Sequence, residues 1–110
     1  GNAFFDKSVL TPAKLQRVTD YWNRDGNMQV IFELSSSHKF LDTSLITKVQ
    51  CPTLIIWGRE DQLIPYNHAD RFHRDIKNSS VIIYDSCGHV PMVEKPLAVE
   101  RDVRKFFSEN

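Results

Sequence analysis

The sequence predicts an α/β chain: a short parallel sheet of the βαβ type, flanked by helices. Two apolar runs and the helix pattern between them carry this expectation. Thr53-Leu54-Ile55-Ile56-Trp57 and Ser80-Val81-Ile82-Ile83-Tyr84 are short, rich in β-branched residues and apolar on both faces, as strands buried in a parallel sheet are. From Tyr66 to Ile76, the apolar residues Ala69, Phe72 and Ile76 fall at i, i+3 and i+7, which gives a helix one buried stripe. Strand, helix and strand of this length form a right-handed crossover. Both strands then end at the same sheet edge.

The rest of the chain is read in order around that unit. Residues 1–8 contain Phe4 and Phe5 without a period and read as an incoming extended segment. Thr11 and Pro12 mark a helix start, as N-cap and first helical residue. Leu15, Val18 and Trp22 follow at i, i+3 and i+7, with Tyr21 beside them. Asp25-Gly26-Asn27 is expected to end that helix and cap the next. The second helix runs from Asn27 to Ser35, with Met28, Ile31, Phe32 and Leu34 on a broad apolar side. Residues 39–50 form a connector with a short helix near 44–48. Pro52 is tolerated at strand entry, where a missing N–H matters least. Pro96 opens a last helix whose Val99, Val103, Phe106 and Phe107 should pack on the sheet.

Composition excludes several classes. The 110 residues carry 14 basic and 14 acidic side chains, so no electrostatic footprint for nucleic acid or an anionic membrane is expected. No apolar run approaches the ~20 residues of a membrane span, and no signal peptide is seen. Cys51 and Cys87 stand at opposite ends of the two strands. Five or six residues at ~3.3 Å each separate them by about 17–20 Å, beyond the ~7 Å limit for a bridge. Two free thiols are expected, which suits a cytoplasmic location. His68 and His73 are five apart and do not share a helix face, so no metal is expected. No glycine-rich turn precedes a helix, so nothing resembles a phosphate loop.

The chemistry lies at the strand ends. Gly58-Arg59-Glu60-Asp61 follows the first strand and Asp85-Ser86-Cys87-Gly88-His89 the second, so the two loops emerge side by side. A carboxylate within reach of an imidazole fixes its tautomer and stabilises the imidazolium formed when it takes a proton. Asp61 and His89 are the candidates, and Gly88 allows a tight turn that projects the ring. The simpler alternatives are a turn carboxylate and a loop imidazole bonded to backbone. Glu60 is the rival acid. Cys87 is too close to His89 along the chain to align with it and reads as structural. Ser86 lacks the flanking glycines of a Gly-x-Ser-x-Gly nucleophile.

These motifs resemble the α/β-hydrolase family. Pro52-Thr53-Leu54-Ile55-Ile56-Trp57-Gly58-Arg59-Glu60-Asp61 looks like its seventh strand and acid loop, and Gly88-His89-Val90-Pro91-Met92-Val93-Glu94-Lys95-Pro96 is similar to its histidine loop. The resemblance implies the C-terminal part of an α/β-hydrolase fold, with residues 1–40 as a helical cap (lid) remnant and 41–110 as the end of the core. It implies Asp61 as acid and His89 as catalytic histidine, with the nucleophile upstream. Phe4, Phe5, Tyr21 and Trp22 would then line an acyl or aromatic pocket under the lid, and Val90 would touch substrate; helix and loop packing is the simpler role for each. Glu94, Lys95 and Pro96 would steady the histidine loop.

The implied parent is an ester or related hydrolase of serine type, acting on a small molecule without a metal or cofactor. Members with an Asp nucleophile, or a non-catalytic binding module on the same scaffold, are the alternatives. The chain does not begin with Met and reads as a fragment. Without a nucleophile, which alone is worth about 10⁶ in rate, it is expected to be inactive. The unpaired edge of the strand from Thr53 to Trp57 is expected to drive self-association, burying on the order of 1,000 Å².

Overall fold

The computed structural model describes residues 3–36 and 43–110. Its contacts divide into two compact units: one within Leu10–Asp42, the other joining the chain before Leu10 to Thr43–Asn110. The chain ahead of Leu10 thus groups with the sheet-bearing unit. Residues 37–42, which include the first part of the expected connector, lie outside the described residues.

The smaller unit is a helix pair. Helix α1 (Pro12–Trp22) starts as its sequence dictates, with Pro12 in the first turn and the Thr11 hydroxyl accepting the Lys14 N–H at 3.3 Å. It ends at Trp22, earlier than expected, because Asn23 caps it and returns its N–H to Thr19 O. Gly26 then turns the chain at φ 83°, a left-handed conformation suited to glycine. Helix α2 (Asn27–Ser36) follows, and the Asn27 side chain donates to Tyr21 O at 2.7 Å. Leu15, Val18, Tyr21 and Trp22 are exposed.

In the larger unit, a 3₁₀ turn over Thr43–Lys48 falls where a short helix was expected. Strand β1 (Thr53–Gly58), helix α3 (Asn67–Asp75) and strand β2 (Ser79–Tyr84) then form the βαβ unit. The strands are parallel and in register from Thr53 opposite Ser79 to Gly58 opposite Tyr84. Ala69 of α3 is fully buried, and Phe72 brings its ring centroid within 6.2 Å of that of Trp57. The expectation of burial on both faces is corrected: Ile55 and Gly58 are the buried residues of β1, and β2 has none. A sheet with two strands among the described residues has too little lateral cover to bury every position.

A short helix α4 (Pro91–Glu94), not anticipated, precedes helix α5 (Pro96–Glu109). Tyr84 Oη donates to Asp102 Oδ2 at 2.7 Å and ties α5 to β2. Val99, Val103 and Phe106 are half-buried, whereas Phe107, expected on the packed face, is 75% exposed. One residue is ~100° of helix rotation, and that step carries Phe107 off the face that Phe106 occupies.

The expectation of an extended N-terminal segment is also corrected. Ala3 to Asp6 bends into a 3₁₀ turn over Lys7–Val9, and its backbone bonds with His89 and Glu94. Both cysteines are free, Cys51 exposed and Cys87 buried. Among the described residues, no helix is long and apolar enough to cross a membrane.

Candidate active site

The two loops beyond β1 and β2 are in direct contact, and glycine makes this possible. A Cβ on Gly58 would lie 2.0 Å from Gly88 O and 2.3 Å from Cys87 O, closer than any packing allows. Across this crossing, Arg59 N–H donates to Tyr84 O at 2.9 Å and Glu60 N–H to Cys87 O at 3.0 Å. Glu60 Oε2 accepts the Cys87 N–H in return, at 2.9 Å. The rival carboxylate is thus engaged with backbone and clips the loops together.

Asp61 faces the imidazole. Its Oδ2 stands 2.8 Å from His89 Nδ1, and its Oδ1 accepts the Leu63 N–H at 2.9 Å and the Ile64 N–H at 3.0 Å. The side chain of Asp61 is 2% exposed and that of His89 37%. Burial pushes the Asp61 carboxyl up, but the Ile64 amide, the His89 ring and the Leu63 amide together outweigh it and hold the group below the usual carboxylate range. An ionised carboxylate only accepts, so the proton of this bond sits on Nδ1. The tautomer leaves Nε2 as the nitrogen able to take a proton.

The histidine is held from behind. His89 N–H donates to Ala3 O at 2.7 Å. Glu94 Oε1 accepts the Gly88 N–H at 2.9 Å, and Oε2 accepts those of Phe5 and Asp6 at 2.8 and 3.1 Å. Gly88 was expected to permit a tight turn. The positive φ belongs instead to Ser86, at 52°. Gly88 is needed for close approach: a Cβ there would meet Ala3 O at 2.6 Å and Phe5 N at 2.8 Å. Cys87, fully buried, has its thiol pushed up to about 11 by burial and by Glu94, so it stays protonated and inert near neutrality. Asp85 pairs with the Arg59 guanidinium, which lies over the Tyr66 ring 5.3 Å from its centroid. Both partners of that pair are exposed, and it contributes little to stability.

A cavity of about 250 Å³ opens beside the pair, lined by Asp61, His89, Trp57, Ile64, Pro91 and Met92 among others. Asp61 and His89 are brought together; of the other candidates in the same unit, Phe4, Phe5 and Val90 do not line this cavity. Phe4 and Phe5 belong to the strap behind His89. Val90 lies at the start of α4, its carbonyl accepting from Val93 and Glu94. Tyr21 and Trp22 lie in the helix pair. Trp57, Ile64 and Met92 were missed. The available signal was an apolar side chain within four residues of Asp61 or His89 along the chain.

Comparison with known proteins shows the family of the chain. A family profile described as alpha/beta hydrolase fold matches residues 2–96. The chain is 41% identical over 89 residues to 2-hydroxy-6-oxononadienedioate/2-hydroxy-6-oxononatrienedioate hydrolase 2 of Pseudomonas putida, covering 77% of this chain and 31% of that protein. It is 35% identical over 71 residues to monoacylglycerol lipase ABHD6 of Bos taurus, covering 63% of this chain and 20% of that protein. Among solved structures it resembles a serine hydrolase involved in carbazole degradation (the CarC enzyme), with a TM-score of 0.79 and 27% identity over 94% of this chain and 45% of that one. The chain spans less than a third of the length of these two curated relatives.

Proposed function

The chain belongs to the α/β-hydrolase family, and from that premise we propose that it supplies the acid and histidine of a hydrolase site whose nucleophile lies in residues outside these 110. Asp61 orients His89, and His89 Nε2 takes the proton of the nucleophile and returns it to the leaving group. The nucleophile is a serine, the substrate a small ester or related acyl compound, and the reaction an acyl transfer followed by hydrolysis. The observation that carries this reading is the 2.8 Å contact between His89 Nδ1 and a carboxylate that is itself buried and doubly hydrogen-bonded. The relatives named as hydrolases support the reaction class. Their names differ in substrate, so the substrate is not carried over.

The helix pair α1–α2 is the remainder of a cap, and the parent acts in the cytoplasm, where Cys51 and Cys87 remain thiols. The 110 residues alone are inactive and self-associate through the outer edge of β1, which has no neighbouring strand among the described residues.

Hydrolysis of a chromogenic ester by the parent protein tests the reading. His89→Ala is expected to abolish turnover, and the isolated chain to give none above buffer. Parent activity that survives His89→Ala, or turnover by the isolated chain that disappears on that substitution, contradicts it.

A further inference from the structure

We propose that Trp57 is a positioning residue for the acid–histidine pair: its indole N–H holds the turn that aims Asp61 at His89. The inference rests on the reading of Asp61 and His89 as a working pair. Trp57 is the last side chain of β1 before Gly58. It is fixed by the strand register opposite Ile83, and the Phe72 ring packs beside it with its plane inclined 31°. From this rigid post, Nε1–H donates to Ile64 O at 2.9 Å, seven residues further along the acid loop.

Residue 64 is where the carboxylate is secured. The Ile64 and Leu63 amides both donate to Asp61 Oδ1, at 3.0 and 2.9 Å. Pro65 follows; it confines residue 64 to extended backbone and offers no N–H with which to close the turn. The loop has little packing to replace that bond, since Leu63, Ile64 and Tyr66 are all exposed. The indole therefore anchors residue 64 by its carbonyl while Asp61 holds it by its amide. Three links run in series: Trp57 Nε1–H to Ile64 O, Ile64 N–H to Asp61 Oδ1, and His89 Nδ1–H to Asp61 Oδ2. A purely apolar role at this position needs a ring or a branched chain, but no donor.

Trp57→Phe in the parent protein removes the donor and keeps an aromatic ring. The expected result is a fall in kcat of about ten- to hundredfold, larger than any change in KM, and loss of a hydrogen-bonded His89 Nδ1–H resonance in proton NMR. Phe72→Leu is the control for packing: it lowers the thermal midpoint but keeps kcat and the resonance. In the wild type, hydrogen exchange of the Trp57 indole and of the Leu63 and Ile64 amides is expected to share one protection factor, a readout that needs no variant to fold. Wild-type kcat and resonance in Trp57→Phe overturn the proposal, as does an indole that exchanges freely, or equal losses in Trp57→Phe and Phe72→Leu. Asp61→Asn separates the two levels. If it retains kcat and the resonance, the pair reading fails and takes the proposal with it; if it loses both while Trp57→Phe loses neither, the role of Trp57 alone fails.

Discussion

One oxygen of Glu94 accepts the Gly88 N–H at 2.9 Å while the other accepts the Phe5 N–H at 2.8 Å. A single carboxylate therefore joins the backbone just before His89 to a segment more than eighty residues earlier in the chain. With the Asp6 N–H as a third donor, Glu94 is the knot that holds the histidine loop from behind.

Removing that knot strands its donors. Glu94→Ala is expected to lower unfolding free energy by about 1–3 kcal/mol, the cost of leaving a buried or half-buried polar group unsatisfied. Hydrogen exchange is the sharper check: the amides of Phe5, Asp6 and Gly88 should lose protection together. Unchanged protection at all three contradicts the assignment. Glu94→Gln, which keeps one accepting oxygen, should fall between wild type and Glu94→Ala.

Gly58 is expected to tolerate no side chain. In Gly58→Ala, the new methyl would lie 2.0 Å from Gly88 O and 2.3 Å from Cys87 O, and both contacts are backbone, so a loop has to move. A cost of about 1–3 kcal/mol, the range for overpacking, is expected, with loss of parent activity greater than the loss of stability explains. Circular dichroism melts beside initial rates measure both. A variant with wild-type melting and wild-type rate contradicts the contact.

The acid limb of stability should report Asp61. Its folded-state pKa lies below the ordinary value of 3.8, so its contribution is present above that value and is lost as pH falls through the lower folded one. Asp61→Asn removes the group, and its stability should fall less steeply than that of the wild type below about pH 4. Asp6 and Asp102 are also held low but are present in both proteins, so the comparison isolates Asp61. Parallel acid limbs contradict the prediction.

The outer edge of β1 should make the isolated chain associate. Light scattering of the 110 residues is expected to give a mass above the 12.8 kDa monomer, and Leu54→Lys, a charge on an exposed strand edge, should reduce it. A monodisperse monomer at high concentration contradicts this.

What the sequence could reveal follows from where side chains carry the signal. The apolar runs ending at Trp57 and Tyr84, and the Ala69–Phe72–Ile76 stripe, mark a βαβ unit. Parallel pairing then puts Asp61 and His89 at one rim without further information. The strap from Ala3 to Asp6 was illegible because it bonds through its own backbone N–H and C=O groups, which look alike in every residue. Glu60 was ambiguous for a related reason: nothing in Gly58-Arg59-Glu60-Asp61 tells which carboxylate turns to the Cys87 amide and which to the ring. Gly88 was expected for its freedom in φ, whereas it serves by lacking a Cβ where Ala3 and Phe5 approach. That approach is a tertiary fact.

The most direct test of the account is a double-mutant cycle on kcat/KM in the parent protein, with Asp61→Asn, His89→Ala and both together. If the carboxylate acts through the ring, removing it from a protein that already lacks the ring costs almost nothing further, and the double variant matches His89→Ala. Losses that multiply instead would mean that the two residues act independently.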